Sequence, residues 1–407
     1  MDEASKFAVG LDVGTENVRA VVASVGRDGA ISVVGYNEGP NAGMSKGVVA
    51  NLTGPAESID KMLGEVERMS GYEVDSAFVS INGAHVMSVK AEGMIAVGAE
   101  DHEITDEDMN RVEDAAVIGR VPANRAILDV LPLSYTLDGQ GGIKDPLGMT
   151  GSRLELKASV ISALAPNELN LKKATEGAKV TAEKVVPSVV AAARAVLSER
   201  QMENGVAVVD LGAATTSVAV FEEGDLQYVG VVPVGANNIT NDLAIVLKID
   251  TDIAEEIKRR YVTGLFLSGD DMVIKRGGEE MIFSREQVNE VVKDRLTEIF
   301  ERVRKELKIA KYDRRLPEGI VLVGGGAKMA DIDSFAKEQL EAATKIGKPT
   351  GLGGVADAIE KPEYAAAVGL ALMAARDGGV GRIPMNKKKN TKNKKKSGGM
   401  FGWIKKF

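Results

Sequence analysis

The chain has 407 residues, of which 44% are hydrophobic and 45 are glycine, and this length suits two lobes with separate cores. It contains no cysteine and two histidines, which excludes disulfide frameworks and thiolate metal sites and argues against a histidine metal centre or Ser-His-Asp catalysis. Nine lysines and no acid in residues 387–407 leave residues 1–386 with a net charge of −17, so we expect no general nucleic-acid binding.

The first half of the chain predicts a lobe that is interrupted by an insertion. Residues 1–86 alternate predicted strands with a helix at about 55–70, and residues 164–204 return to the same lobe. Between them, residues 87–163 predict an inserted α+β subdomain. Its clearest element is a helix after Thr105. Threonine is a good N-cap, acidic residues fill the first turn, and apolar residues form a stripe along one face.

The second half predicts another lobe. Residues 205–240 and 318–376 form its predicted core, and residues 241–317 a smaller helical subdomain with a long amphipathic helix from about Ser284 to Lys311. The start MDEASK is acidic and lacks the apolar core of a signal peptide. We also find no apolar run near the ~20 residues that span a bilayer.

Two stretches, AVGLDVGTENVRAVV and VVDLGAATTSVAVF, carry the same pattern of an apolar run, a turn with Asp and Gly, and a second apolar run, about half a chain apart. Aligning Asp12 with Asp210 also aligns Gly14 with Gly212 and places apolar runs on both sides of each turn. One such turn alone is typical of a plain β-hairpin. Its repetition favours a ligand site that is shared by two similar lobes.

The residues of the two turns indicate the chemistry of that ligand. Backbone N–H groups at a tight glycine turn can cradle phosphate oxygens, and Thr15, Thr215 and Thr216 add hydroxyl donors. Asp12 and Asp210 would repel phosphate, so they indicate a hard cation between the carboxylates and the phosphates. Mg²⁺ suits this position because it keeps several waters and is held by one or two carboxylates plus phosphates.

A third glycine-rich element, GIVLVGGGAKMADI, predicts a strand, then Gly324–Gly326, then a helix start. In this order the three elements resemble the two phosphate loops and the adenosine loop of the actin-like ATPase superfamily. The segments SINGAHV, EITDEDMNRVEDAA, DPLGMTGSRLE and AEEIKRRY, with the end GWIKKF, narrow the resemblance to the FtsA family of bacterial cell-division actins. The resemblance covers nearly the whole chain.

The resemblance implies an α/β, actin-like two-lobed ATPase fold with ATP in the central cleft. It assigns residues 1–86 and 164–204 to subdomain 1A, 87–163 to the inserted subdomain 1C, 205–240 and 318–376 to subdomain 2A, and 241–317 to subdomain 2B. In the family, subdomain 1C is an interaction element in filaments. On its residues alone, the insertion could also be a decoration without a partner.

The same resemblance implies the ligand contacts. The expected phosphate-binding residues are Gly14, Thr15, Glu16, Asn17, Gly212, Ala213, Thr215 and Thr216. The expected adenosine-binding residues are Glu255, Lys258, Arg259, Gly324, Gly325, Gly326 and Lys328. Asp12 and Asp210 would hold Mg²⁺, through water. The spacing of Glu255 and Lys258 is equally typical of an exposed i, i+3 salt bridge.

Departures from the family pattern concern nucleotide affinity and turnover. Ala213 and Ala214 replace two glycines of the second phosphate loop, and either would be strained at a positive φ. Residues 185–187 offer no side chain that could position an attacking water. Asp210 and Glu183 remain candidates, without an evident general base, so we expect slow hydrolysis at most.

The implied function is an ATP-binding protein that polymerises on the cytoplasmic face of the cell membrane at the division site. It would tether FtsZ, whose C-terminal tail would bind subdomain 2B, and help to recruit other division proteins. ATP would serve chiefly as a structural ligand for polymerisation. A PilM-like pilus-assembly protein and an actin-fold sugar kinase are the alternatives, whereas a DnaK-type chaperone would need a peptide-binding domain for which no room follows residue 376.

The end of the chain predicts a membrane anchor. Residues 377–399 read as a flexible basic linker, because their lysines repel one another and apolar residues are rare. Residues 400–407 read as an amphipathic helix that forms on anionic lipid. Its expected membrane-contacting residues are Met400, Phe401, Trp403, Ile404, Lys405, Lys406 and Phe407. A disordered tail or a nucleic-acid patch is the alternative, and would not need large apolar residues at helical spacing.

Overall fold

The computed structural model describes residues 6–98, 102–261, 271–276, 278–354 and 356–377. Its strands are β1 Lys6–Val13, β2 Asn17–Val25, β3 Ile31–Pro40, β4 Met44–Ser45, β5 Val48–Val49, β6 Ser76–Ile81, β7 Met87–Ala96, β8 Arg125–Leu137, β9 Gln140–Ile143, β10 Arg153–Leu164, β11 Thr181–Pro187, β12 Val206–Leu211, β13 Thr216–Glu222, β14 Asp225–Val232, β15 Met272–Arg276, β16 Glu279–Phe283, β17 Ile320–Val323, β18 Thr344–Ile346 and β19 Gly353–Gly354. Its α-helices are α1 Thr53–Ser70, α2 Asp106–Val117, α3 Ala165–Gly177, α4 Ser188–Val196, α5 Glu199–Asn204, α6 Ala236–Leu247, α7 Thr251–Tyr261, α8 Arg285–Ile309, α9 Ile332–Leu340 and α10 Ala365–Arg376. Within these described ranges, no helix has the length and apolarity needed to cross a membrane.

Two sheets of the same design form the two lobes. In the first, β1, β2 and β3 are antiparallel neighbours, and β6 and β11 continue the sheet in parallel beyond β1. In the second, β12, β13 and β14 are antiparallel neighbours, and β17 and β18 continue in parallel beyond β12. The central strands are apolar on both faces because helices cover them, as in the fully buried VAVVDL of β12. The repeat in the sequence is thus a repeat of whole sheets, and the two-lobed α/β fold is confirmed.

Two helices cross beneath the cleft and join the lobes. Helix α4 packs against β12 and β13 of the second sheet, and α10 packs against β1 and β2 of the first. Where α10 meets α4, a Cβ on Gly369 would lie 1.7 Å from the carbonyl oxygen of Ala191, so the crossing requires glycine. One cluster of buried apolar side chains, which includes Leu11 and Val208, spans both lobes at this base.

The insertion forms its own four-stranded antiparallel sheet in the order β7-β10-β8-β9, with α2 packed on it. The helix predicted after Thr105 is confirmed, and its start is a capping box. Thr105 Oγ1 accepts from Asp108 N at 3.3 Å, and Asp108 Oδ2 accepts from Thr105 N at 3.1 Å. The insertion also touches the second lobe, because Ser88 Oγ accepts from Val229 N of β14 at 2.7 Å.

The long amphipathic helix predicted for the second lobe is confirmed as α8. Ser284 caps it by accepting from Gln287 N at 3.4 Å. Its buried stripe consists of Val288, Val292, Leu296, Ile299, Phe300, Val303 and Leu307. The helix ends at Ile309, before the predicted Lys311, where the backbone turns with a φ of 69°. The subdomain boundaries given above stay predictions.

Candidate functional site

A cleft lies between the two sheets, where the β1–β2 and β12–β13 turns face each other. It encloses about 670 Å³ of space, including the part that is open to solvent. Most residues of the two predicted phosphate loops and part of the third glycine element line it. These are Asp12, Gly14, Thr15, Glu16, Asn17, Asp210, Gly212, Ala213, Thr215, Gly324 and Gly325.

The two turns have the same internal geometry. Gly14 N donates to Asn17 O at 3.0 Å, and Gly212 N donates to Thr215 O at 3.0 Å. In the first turn, Thr15 Oγ1 also accepts from the backbone N–H of Gly47 at 3.0 Å, which fixes the hydroxyl. Each turn is therefore a pre-formed element rather than a loop that must order around a ligand.

The outer N–H groups of these turns are available to a ligand. Within the described residues, the N–H groups of Thr15, Glu16, Ala213 and Ala214 have no hydrogen-bond partner. Neither alanine lies at a positive φ, so the backbone strain that their replacement of glycine could have caused does not arise. Together the turns present two sets of donors of the kind that binds phosphate oxygens.

The carboxylates of Asp12 and Asp210 are nearly buried at the floor of the cleft, with residues that are 8% and 9% exposed. Burial first and the charge of Asp12 second raise the pKa of Asp210 to about 6, against the opposing effects of the Ser188 hydrogen bond and the charge of Arg19. Burial likewise raises the pKa of Asp12, against the opposing charge of Arg19. Two carboxylates that disfavour each other's ionisation form a site suited to a cation.

Serine hydroxyls bind both carboxylates, and neither serine was among the residues predicted from the sequence. Ser80 Oγ donates to Asp12 Oδ1 at 2.7 Å, and Ser188 Oγ donates to Asp210 Oδ2 at 3.0 Å. The described residues contain no group of three or more His, Cys, Asp or Glu side chains that could hold a metal. A cation here would rely on two carboxylates, with water and ligand oxygens completing its shell.

Arg19 is a cationic side chain of the cleft that was not among the residues predicted from the sequence. The strand register places it opposite Asp12 on one side and Glu38 on the other. Its Nε lies 3.0 Å from Glu38 Oε2, and its guanidinium lies 5.9 Å from the ring centroid of Tyr364. Arg19 lines the cleft and offsets part of the charge of the paired carboxylates. The sequence did carry a signal for this role, because Arg19 follows DVGTENV on the second strand of the first hairpin, opposite the predicted metal-binding Asp12.

The third glycine element approaches the carboxylates closely. Gly324 has a φ of 86°, and a Cβ there would lie 2.3 Å from Asp210 Oδ1, so only glycine fits. Behind it, Lys328 Nζ pairs with Glu363 Oε1 at 2.9 Å. The other carboxylate oxygen of Glu363 is buried without a partner in the described residues, although this side chain also lines the cleft.

The predicted adenosine residues of α7 lie outside the cleft lining. Lys258 Nζ pairs with Glu255 at 2.6 Å and donates to Thr240 Oγ1 of α6 at 2.9 Å. Arg259 Nε pairs with the same glutamate at 2.5 Å. In this arrangement the group braces α7 against α6, and its contact with adenosine stays a prediction.

Three further predicted residues are likewise not part of the cleft lining. Thr216 is buried, and its hydroxyl donates to Val234 O at 2.8 Å. Gly326 packs on Leu211, and Lys328 points to Glu363. The membrane-contacting residues predicted in 400–407, and the linker from 378 onward, lie outside the described residues.

Two hydrogen bonds cross the cleft between the lobes. Asn237 Nδ2 donates to Glu16 Oε1 at 2.6 Å, and Ser217 Oγ donates to Asn82 Oδ1 at 3.0 Å. Each joins a residue of the first lobe to one of the second, beside the two turns. The lobes are therefore held together across the rim of the cleft as well as at its base.

Two sheets that share a five-stranded arrangement, the first with β19 added beyond β3, and two hairpin turns that face one cleft define a protein of the actin-like ATPase fold. A chain of the PilM–PilN type IV pilus biogenesis complex superposes with a TM-score of 0.67 at 18% identity, over 90% of this chain and 98% of that one. MreB5 of Spiroplasma citri, solved bound to ADP, superposes with a TM-score of 0.53 at 14% identity, over 91% and 96%. At these identities the likeness shows the fold alone.

Sequence comparison gives the family. The model of the cell division protein FtsA matches residues 207–369, and that of the SHS2 domain inserted in FtsA matches residues 83–162. FtsA of Pseudomonas aeruginosa is 36% identical over 90% of this chain and 89% of its own. FtsA of Borreliella burgdorferi is 31% identical over 97% of each, and FtsA of Escherichia coli K12 is 30% identical over 90% and 89%. The chain belongs to the FtsA family of actin-like cell division proteins.

Proposed function

We propose that the cleft binds ATP together with Mg²⁺, and that this ligand favours assembly of the chain into filaments. The observation that carries the proposal is the meeting of two similar half-sites, each with a glycine turn and a buried carboxylate, one from either lobe. A ligand held by both half-sites stabilises the arrangement in which the lobes are close.

The residues fit a nucleotide with a divalent cation. The unpartnered N–H groups of the two turns suit phosphate oxygens, and Arg19 adds a positive charge at the same cleft. A bound cation would supply the charge that compensates Asp12 and Asp210, whose burial otherwise opposes their ionisation.

Hydrolysis should be slow. Residues 185–187 end β11 without a polar side chain, and the next residue, Ser188, already donates to Asp210. A serine hydroxyl used in this way is a poor base for an attacking water. We infer that the nucleotide acts chiefly as a structural ligand, with turnover below the ~1 s⁻¹ at the low end of ordinary enzymes.

Calorimetric titration of the purified protein with ATP and Mg²⁺ tests the nucleotide site. Asp12→Ala and Asp210→Ala should each weaken binding about tenfold or more, because each removes a carboxylate from the shell of the cation. Asp60→Ala, on the exposed face of α1, is the matched control and should bind as the wild type does. Wild-type affinity in both cleft variants would refute the two-turn site.

The second part of the proposal concerns FtsZ. The family works in cell division, and we propose that the FtsZ C-terminal tail binds the subdomain at 241–317. Among its described residues, five large apolar side chains are exposed, and the three most exposed are Ile245 at 74%, Ile309 at 66% and Ile282 at 63%. Ile245→Asp with Ile282→Asp should weaken the binding of a labelled tail peptide in fluorescence anisotropy. Ile118→Asp, which changes a similarly exposed residue of the insertion, should leave the affinity unchanged. If the wild type, the double variant and this control bind the peptide equally, the tail does not bind at Ile245 and Ile282.

The third part places the chain on the inner face of the cell membrane through residues 400–407. Trp403 and Ile404 lie at helical spacing with other apolar residues, and the preceding lysines add roughly 1 kcal/mol per charge near anionic lipid. One short anchor binds reversibly, so stable attachment needs many tails on one filament.

Co-sedimentation with anionic liposomes tests the anchor. Trp403→Glu with Ile404→Glu, or deletion of 400–407, should leave the protein in the supernatant with ATP binding intact. Trp403→Phe with Ile404→Leu keeps the apolar face and should still pellet. If the deletion variant pellets with the liposomes as the full chain does, residues 400–407 are not the membrane anchor and another segment binds the lipid.

A further inference from the structure

Each of the two buried carboxylates in the cleft has one serine partner. Ser80 Oγ lies 2.7 Å from Asp12 Oδ1, and Ser188 Oγ lies 3.0 Å from Asp210 Oδ2. Both serines are almost completely buried, at 1% and 4% exposure. An ionised carboxylate only accepts hydrogen bonds, so in each pair the serine is the donor.

The direction of the Ser80 hydroxyl is fixed from two sides. The oxygen accepts from the backbone N–H of Val13 at 2.8 Å, so its proton is left for Asp12. The strand register explains how the pair forms, because β6 runs parallel to β1 with Leu11 opposite Val79. The next position on each strand brings Ser80 beside Asp12, within the same lobe.

The second serine–carboxylate pair forms in a different way from the first. The two pairs are therefore not simply copies that come with the repeated sheet. In the second lobe, the register places Val323 of β17 opposite Asp210, and valine has no hydroxyl. The partner comes instead from Ser188, the first residue of the crossing helix α4. Two unrelated elements thus supply the same donor to the same group, one in each half-site.

We propose that Ser80 and Ser188 are positioning residues, which hold the two carboxylates in the orientation that accepts the water ligands of Mg²⁺. One oxygen of each carboxylate is engaged by serine, and both aspartates line the cleft. The inference rests on the proposed binding of ATP with Mg²⁺. It goes beyond it by assigning metal dependence to residues outside the nucleotide-binding turns.

A positioning role makes a prediction that a merely structural role does not. If the serines orient the carboxylates for the cation, their loss weakens ATP binding in the presence of Mg²⁺ and leaves the metal-free affinity unchanged. If they only stabilise the fold, both affinities change together or neither changes. The informative quantity is therefore the ratio of ATP affinity with Mg²⁺ to ATP affinity with EDTA.

The experiment measures this ratio by calorimetry on the full chain for the wild type, Ser80→Ala and Ser188→Ala. We expect each variant to lower the ratio about tenfold, the lower end of the effect seen when a partner of a metal ligand is removed. Ser159→Ala is the matched control, because Ser159 is fully buried in β10 and its hydroxyl has no partner among the described residues. It should keep the wild-type ratio.

The outcomes separate the inference from the proposal on which it rests. A wild-type protein whose ATP affinity does not depend on Mg²⁺ would overturn the proposed cation site itself. A wild type that depends on Mg²⁺, with serine variants that keep its ratio, would overturn the positioning role alone. If an alanine variant does not fold, Ser80→Cys and Ser188→Cys preserve the volume with a much weaker donor and should lower the ratio in the same way.

Discussion

Asp210→Asn should make the ligand-free protein more stable while it weakens binding of Mg²⁺ with ATP. The buried carboxylate has a pKa raised to about 6, by burial first and by the charge of Asp12 second. Asparagine has nearly the same shape, carries no charge, and keeps an oxygen that can accept from Ser188. The variant therefore removes the unfavourable charge and preserves the local hydrogen bond.

The size of the effect follows from the pKa of Asp210. In the unfolded chain this carboxyl ionises near its ordinary value of 3.8, and in the folded chain near 6. Between these values the folded state binds more protons, so stability falls as pH rises and the full loss is present above pH 6. At ~1.4 kcal/mol for each tenfold change, the loss is about 3 kcal/mol. Asp210→Asn should recover about this much near neutral pH, and roughly half of it near pH 5.

Urea denaturation in EDTA at these two pH values is the measurement. The midpoint for Asp210→Asn should exceed that of the wild type, with the larger difference at neutral pH and an unchanged dependence on urea. Asp60→Asn, an exposed residue of α1, should match the wild type at both. A cleft variant that is no more stable than the wild type at neutral pH would show that the carboxylate is not held in the unfavourable environment described above.

Two glycine positions give further predictions. Gly324→Ala should weaken ATP binding in calorimetry, because its φ is 86° and the new Cβ would lie 2.3 Å from Asp210 Oδ1, whereas Gly64→Ala, on an open face of α1 outside the cleft lining, should bind normally. Gly369→Ala should lower stability in urea by at least ~1–3 kcal/mol, since the Cβ would enter a carbonyl of α4; Gly64→Ala, on an open face of α1, should instead raise it by up to about 1 kcal/mol. Equal behaviour within either pair would contradict the close approaches.

The cleft was predictable from the sequence as far as its residues lie in continuous turns. The alignment of Asp12 with Asp210 located both half-sites, because a strand, a glycine and a carboxylate recur at one spacing. Ser80 and Ser188 escaped this reasoning because they reach the carboxylates from β6 and from α4, across 68 and 22 residues of chain. Their roles depend on strand register and on where the helices cross, and neither can be predicted from a local sequence pattern.

In helix α7 the local pattern was predictable from the sequence, but the contacts of its side chains were not. The spacing of Glu255 and Lys258 predicted one helical face, and the 2.6 Å ion pair confirms it. Spacing cannot state what that face meets, however, and here it meets Thr240 of α6 rather than the open cleft. The helix α6 in turn begins at the second turn, where Ala236 N donates to Gly212 O at 3.0 Å. The pair thus braces α6, which contacts the β12–β13 turn of the cleft.

The cleft carries a stability loss in its ligand-free state, and this loss is what a cation can reverse. Asp12 and Asp210 are buried and repel each other, while the turns that flank them are held by backbone hydrogen bonds and need little ordering. A cation held by Asp12 and Asp210 would offset both the repulsion and the tendency to protonation, so its binding would be linked to the stability of the closed arrangement. The hydrogen bonds across the rim at Glu16 and Asn82 favour the same arrangement. If the chain assembles with ATP as we propose, a nucleotide that is hydrolysed slowly would set how long the two lobes remain in this closed arrangement.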